Sequence, residues 1–209
     1  MQIKQSLLDS SKYSLKCPYE MKPIGIVIHN TANDAPAKNE ASYAKTNSNS
    51  TGFHIAVDDV EAIQIIPFNR NAFANGDGRT GDGNRKYISL EICYSKSGGT
   101  KFTKAEQNSA KVVAQLLKQY GWNINNVKAH RDFSGKNCPH RTNMTTFKQM
   151  VEKELKALNT TSSTTNTNNE EIYYRVVVGS FKSKDEATKL QAKAIQAGFT
   201  GTFLTTFKK

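Results

Sequence analysis

Residues 159–171 read NTTSSTTNTNNEE, a stretch without one apolar side chain. Thr, Ser and Asn bury too little surface to offset the entropy of ordering a chain. The stretch cannot lie inside a core, and it predicts a flexible linker. The chain must then fold as a domain over residues 1–158 and a small module over 172–209. Hydrophobic residues make up 37% and aromatic residues 9% of the chain. That is enough for a packed core in the longer piece.

The charge follows the same division. The net charge is +11. Residues 1–158 carry 22 basic and 14 acidic side chains, a balance of +8; residues 159–171 give −2; residues 172–209 carry 7 and 2, a balance of +5. The excess is densest in the last segment. A basic protein is drawn to polyanions, whether nucleic acid, anionic membrane or phosphate-rich wall polymers. No zinc finger or aromatic RNP strand is present, so nucleic acid is not the expected partner. No apolar run approaches the ~18 residues that span a bilayer, so stable membrane insertion is not expected. The first residues, MQIKQSLLDSSKYSLKC, hold no apolar core of a secretory leader. The expectation is a protein made without a signal peptide. Cys17, Cys93 and Cys138 are odd in number and far apart, which argues against a disulfide framework.

In residues 1–158 the apolar run IGIVIH (24–29) predicts a buried strand ending in His29. A helix is expected over 36–47, starting at Pro36. FHIAVDDVEAIQIIP (53–67) reads as two strands around an Asp-Asp turn. NGDGRTGDGNR (75–85) reads as a long Gly-rich loop. YISLEICYS (87–95) alternates as a strand. Thr103 and Glu106 have capping-box spacing and predict a helix start, with Val113, Leu116, Leu117 and Tyr120 on its inner face. Residues 127–130 form a short strand ending in His130. A last helix over 145–158 has Phe147, Val151, Leu155 and Leu158 as its stripe. The order βαβββαβα predicts an α/β fold, a mixed central sheet flanked by helices.

The stretch KAHRDFSGKNCPHRT (128–142) concentrates two of the four histidines and one of the three cysteines. A catalytic zinc takes three N or S ligands and leaves a fourth position to water. His29 and His130 both end predicted strands, and Cys138 follows His130 by a loop long enough to fold back. Spacing alone leaves a metal site and an ordinary polar loop both open. His54 lies in a strand pattern and reads as a core or cleft histidine. His140 directly follows Pro139 and reads as a cleft or structural residue. Glu91 interrupts an apolar strand, so it either faces solvent or serves a polar cleft.

Five stretches carry a resemblance: IVIHNT (26–31), GFHIAVDD (52–59), NGDG (75–78), ISLEICYSKSGG (88–99) and HRDFSGKNCPHR (130–141), with KCPYEMKP (16–23) near the start. Together they resemble the zinc-dependent N-acetylmuramoyl-L-alanine amidases of the type 2 family, above all endolysin domains from phages of Gram-positive hosts. The resemblance implies the peptidoglycan-recognition fold, with His29, His130 and Cys138 binding Zn²⁺. It places a catalytic glutamate at Glu91 and an oxyanion-stabilising lysine at Lys136. Asn30, Thr31 and Arg131 are expected to contact substrate or orient the histidines. Asn75, Asp77 and Arg79 are expected to shape the cleft, and His54 to lie in it. Some family members carry a tyrosine just before the histidine matching His54. Phe53 has no hydroxyl, so that part of their chemistry does not carry over.

The implied substrate is bacterial peptidoglycan, cleaved between the lactyl group of N-acetylmuramic acid and L-alanine, after release of the protein to the wall. A non-catalytic peptidoglycan-binding protein and a recycling amidase acting on soluble muropeptides are the alternatives. In the last segment, strands over 173–181 and 202–207 flank a helix opened by Ser183 and Glu186 and stopped by Gly198. This βαβ unit resembles half of a SPOR-type wall-binding domain. Half a domain is expected to complete itself by pairing, giving a homodimer through residues 172–209. Its charge would favour anionic wall polymers as a further partner.

Overall fold

Six short strands build one sheet: β1 (Ile3–Gln5), β2 (Gly25–Asn30), β3 (Ile55–Val57), β4 (Ala62–Gln64), β5 (Tyr87–Ile92) and β6 (Val127–Ala129). Their spatial order is β1-β4-β3-β5-β2-β6. The computed structural model describes residues 1–163, 179–199 and 202–206. Only β3 and β4 run antiparallel, joined through the Asp58–Asp59 turn; every other pairing is parallel. The expected mixed sheet flanked by helices is thus present. β1 and two short helices, α1 (Tyr13–Lys16) and α3 (Asp82–Lys86), add to the expected order.

β2 lies between two parallel neighbours, and all six of its residues are buried. A strand covered on both faces needs a continuous apolar run instead of alternation. β5 is built the same way: Ser89 is buried along with Ile88, Leu90 and Ile92. The Asp58 carboxylate holds its own turn by accepting from the Val60 and Glu61 amides, and reaches across to the Ala37 amide. That last bond anchors the start of α2 (Ala37–Thr46), next to Pro36 as expected.

α4 (Gly99–Tyr120) begins before the expected Thr103. Gly98 adopts φ 77°, a conformation that favours glycine. A Cβ there would lie 2.7 Å from an Arg141 nitrogen. With the helix opened at Gly98, Thr103 sits inside it and its hydroxyl donates to the Gly99 carbonyl. The capping box therefore does not form. The inner face is as expected, with Val113, Leu116 and Leu117 fully buried, and Gly121 closes the helix in the left-handed region. α5 (Met144–Ser163) buries Phe147 and Val151 and runs past the expected end at residue 158. Once a helix is nucleated, each further residue gains a bond, and Thr and Ser are only mildly unfavourable to it.

The chain forms two units, Met1–Thr165 and Asn166–Lys209. In the second, α6 (Lys184–Gln196) is followed by Gly198 at φ 97°. The Ser183 side chain makes no capping bond. Leu190 and Ala194 are half-buried, whereas Ala197 is exposed. Of the strand expected over 173–181, residues 173–178 lie outside the described residues, and 179–181 are not in a strand. Residues 202–206 carry no strand either. A strand exists only through its ladder partner, and the partner expected for this one falls outside the described residues.

His54 is fully buried just before β3. Its Nδ1 accepts from the Ser89 amide at 2.9 Å, so Nε2 bears the proton and donates to the Arg70 carbonyl at 2.8 Å. Both ring nitrogens serve backbone groups. His54 is therefore a structural residue, not the cleft contact the sequence led us to expect. Burial lowers its pKa from 6.5 to about 4. The unfolded chain takes up this proton below its ordinary pKa and the folded one does not, so stability falls as pH drops from about 6.5 towards 4. The full effect is about 3 kcal/mol. Thermal melts across this range should show a steeper acid loss in the wild type than in His54→Gln. Parallel curves would remove His54 from the acid sensitivity.

Candidate active site and metal centre

Register brings the chemistry together. In the parallel β2–β5 pair His29 lies opposite Glu91, and Val27 opposite Ser89. β6 pairs with β2 through Ala129 and Ile28, which delivers His130 beside His29. Paired positions in a sheet share a face. Three neighbouring strand ends thus present two histidines and a carboxylate on one side.

Cys138 returns from the loop after β6 to complete the group. His29, His130 and Cys138 are all buried, with ligand atoms within 4.8 Å of one another. The two Nδ1 atoms are 3.0 Å apart, and the Cys138 Sγ is 3.9 Å from His29 Nδ1. Tetrahedral zinc with ordinary bond lengths would place two nitrogens roughly 3.3 Å apart and nitrogen and sulfur roughly 3.6 Å apart. The donor set and its spacing therefore fit zinc. Burial pushes the pKa of His29 well down, with help from His130 and Lys136, and that of His130 down as well. Both rings are held neutral, the form that binds metal. Burial raises the Cys138 thiol, and the Glu91 charge acts in the same direction.

The loop carrying Cys138 is fastened to the strand ends. Arg131 N–H donates to the Cys138 carbonyl and its guanidinium to the Pro139 carbonyl. Asn30 accepts from the amides of Arg141 and Thr142 and donates to the Thr142 hydroxyl and the His29 carbonyl. Arg141 donates to the carbonyls of Ser95 and Lys96, and the His140 ring lies 3.1 Å from that of Ser95.

Several of the residues expected around the cleft make contacts within the protein. Asn30 is buried with its amide fully used in fastening this loop. Asn75 is fully buried; its side chain acts on His29 and its backbone carbonyl on His130, raising the basicity of both rings. These contacts are loose, since neither Nε2 nor Asn75 Oδ1 reaches full hydrogen-bond geometry. Such outer partners orient ligating histidines. Asp77 receives the amides of Gly83 and Asn84 and so ties α3 to the Gly-rich loop. All three make contacts within the protein's own strand ends and loops. Thr31 remains half-buried at the end of β2, and Arg131 and Lys136 are exposed beside Cys138. Gly-rich composition pointed to the 75–85 loop, but nothing in it marked Asn75 as the residue behind both histidines.

Glu91 is half-buried, and its Oε2 is buried without a hydrogen-bond partner among the described residues. Burial, reinforced by the Glu40 charge and opposed by Lys136, raises its pKa to about 8. A carboxyl that ionises near neutrality can both accept and return a proton. Glu40 itself accepts from Asn33 at 2.7 Å. No motif or spacing pointed to this second carboxylate.

Known proteins resemble this chain in sequence and in fold. The family model described as N-acetylmuramoyl-L-alanine amidase matches residues 19–141, more than half of the chain. A SPOR domain model matches residues 149–205, beginning within α5. The N-acetylmuramoyl-L-alanine amidase CwlA of Bacillus subtilis (strain 168) is 48% identical over 217 residues, covering 94% of this chain and 79% of the relative. XlyB of the same organism, also an N-acetylmuramoyl-L-alanine amidase, is 54% identical over 157 residues, covering 73% of this chain and 50% of the relative. The solved structure of PlyL superposes with a TM-score of 0.71 at 54% identity, over 72% of this chain and 97% of that one. The catalytic domain of XlyA gives 0.66 at 34% identity, over 72% and 99%. The chain belongs to the N-acetylmuramoyl-L-alanine amidase family.

Proposed function

We infer that this chain is a peptidoglycan hydrolase that cleaves the amide between the lactyl group of N-acetylmuramic acid and L-alanine. The observation that carries the reading is the buried His29, His130 and Cys138 group with Glu91 opposite His29, in a chain of the amidase family. These three side chains would hold Zn²⁺, which when bound polarises a carbonyl and makes water a stronger acid. Glu91 takes the proton of the attacking water and delivers it to the departing alanine amine as the C–N bond breaks. Lys136 opposes the negative charge that builds on the carbonyl oxygen. Thr31 and Arg131 border the site and hold the substrate. Asn30, Asn75 and Asp77 keep the ligands and loops in place.

Mass analysis of digested walls tests this reading. A new free amine on L-alanine is the expected product. Wall binding without that product would favour a non-catalytic binding protein. Much faster cleavage of soluble anhydro-muropeptides than of intact walls would favour a recycling role.

Lys136→Ala should lower kcat more than it raises KM, because the ammonium acts on charge that exists only in the transition state. An unchanged kcat would reject the oxyanion role.

The SPOR-matching segment is proposed to hold the enzyme on the wall, with anionic polymers attracted by the +5 charge of residues 172–209. Phe181, Ile195, Phe199 and Leu204 are exposed in this unit. We propose that a second copy covers them and gives a homodimer, doubling the wall contacts. Sedimentation equilibrium of the full chain at tens of micromolar should report a dimer that deletion of residues 172–209 converts to a monomer. Equal wall retention after the deletion would reject the binding role, and a monomeric full chain would reject the pairing.

A further inference from the structure

The capping box of Thr103 and Glu106 does not form, which leaves the Glu106 carboxylate half-buried on α4 with no part in the helix start. No step of the hydrolysis uses it. Gly98, Phe102 and Glu106 recur at every fourth position, so they line up along one face of α4 from its opening onward. That face meets the segment that follows Cys138. A Cβ on Gly98 would lie 2.7 Å from an Arg141 nitrogen, and the Arg141 guanidinium lies 5.8 Å from the Phe102 ring centre. The next residue along the segment, Thr142, bonds through its side chain to Glu106.

Thr142 is buried, and its hydroxyl accepts from Asn30 Nδ2 at 3.1 Å. A hydroxyl has one proton to give. With Asn30 already a donor to it, that proton turns to Glu106, which accepts only when ionised. Burial raises the Glu106 pKa, and the Thr142 hydroxyl opposes the rise, as a proton donated to a carboxylate does.

The Asn30 amide is thereby given a direction. Its Nδ2 faces Thr142 and also donates to the His29 carbonyl at 3.2 Å. Its Oδ1 is left to receive the amides of Arg141 and Thr142 at 2.9 and 3.1 Å. A reversed Asn30 would set N–H against N–H at both loop residues, and buried donors without acceptors are costly.

We propose that Glu106 is a positioning residue of the metal centre: through the Thr142 hydroxyl it fixes the Asn30 amide that ties the Cys138 loop to the strand of His29. The proposal rests on the reading of His29, His130 and Cys138 as zinc ligands. Two side chains stand between Glu106 and the ligand-bearing segments, so its effect is on how firmly the ligands are held together.

Zinc release from the loaded full-length protein into a chromophoric chelator tests it. Glu106→Ala and Thr142→Val should each release zinc about tenfold faster than the wild type, the usual cost of losing an outer partner of a metal site. The double substitution should be no faster than either single one, because both break the same chain. Glu106→Gln should stay within about twofold of the wild type, since its carboxamide oxygen accepts the same proton. Val113→Ala removes packing from the buried face of the same helix. It should lower the melting temperature and leave zinc release within about twofold. Release at the wild-type rate from both Glu106→Ala and Thr142→Val would overturn the proposal alone. So would an acceleration by Val113→Ala as large as that by Glu106→Ala, which would make the effect one of general stability. A wild type that takes up no zinc would overturn the metal reading and this proposal with it.

Discussion

Replacing Glu91 with Gln is expected to cut turnover by ~10²–10⁴-fold, the usual contribution of a general acid–base group. Gln keeps the size and polarity of the side chain but can neither accept nor return a proton. Fold and metal content should survive, since Glu91 donates no ligand to the His29, His130 and Cys138 group and its Oε2 supports no other residue. The loss should appear in kcat with little change in KM. The raised pKa of about 8 suits a group that must both accept and return a proton. The Glu40 charge acts on Glu91 through its field, and Glu40 is already bonded to Asn33. A loss below tenfold in a folded, metal-loaded variant would make Glu91 structural.

Removing the metal is expected to abolish wall lysis, and added Zn²⁺ should restore it. Cys138→Ser should weaken metal retention, since a hydroxyl is a harder and far less acidic ligand than a thiol. The loop around Cys138 is fastened through Asn30, Arg131 and Arg141 independently of its sulfur. The variant should therefore fold, and metal analysis after dialysis should show the loss directly. Chelation should also lower the melting temperature, because an ion bound only by the folded state stabilises it by mass action. Full zinc occupancy and full activity in Cys138→Ser would rule out this ligand set.

Much of the first domain was legible in the sequence because local pattern and local structure coincide there. The unbroken apolar run before His29 could only be a strand covered on both faces. The stripes through Leu116 and Phe147 could only be inner helix faces. The His29, His130 and Cys138 group, which the resemblance implied as metal ligands, does come together in the fold. Where glycine geometry decided an outcome, pattern misled: Gly98 opened α4 before the capping box at Thr103 could be used.

The sequence by itself determined the apolar core strands around β2 and β5 and the inner faces of the two long helices, since periodicity and residue type are properties of the chain. Only the tertiary structure decided what those side chains face. Register set His29 opposite Glu91 and turned both rings of the metal group towards Asn75. It also closed His54 between the Ser89 amide and the Arg70 carbonyl, so a histidine that looked available to substrate became part of the frame. The reason is that a hydrogen bond or a ligand geometry depends on distances between residues far apart in sequence. Parallel strand pairing sets those distances, and no local stretch encodes them alone.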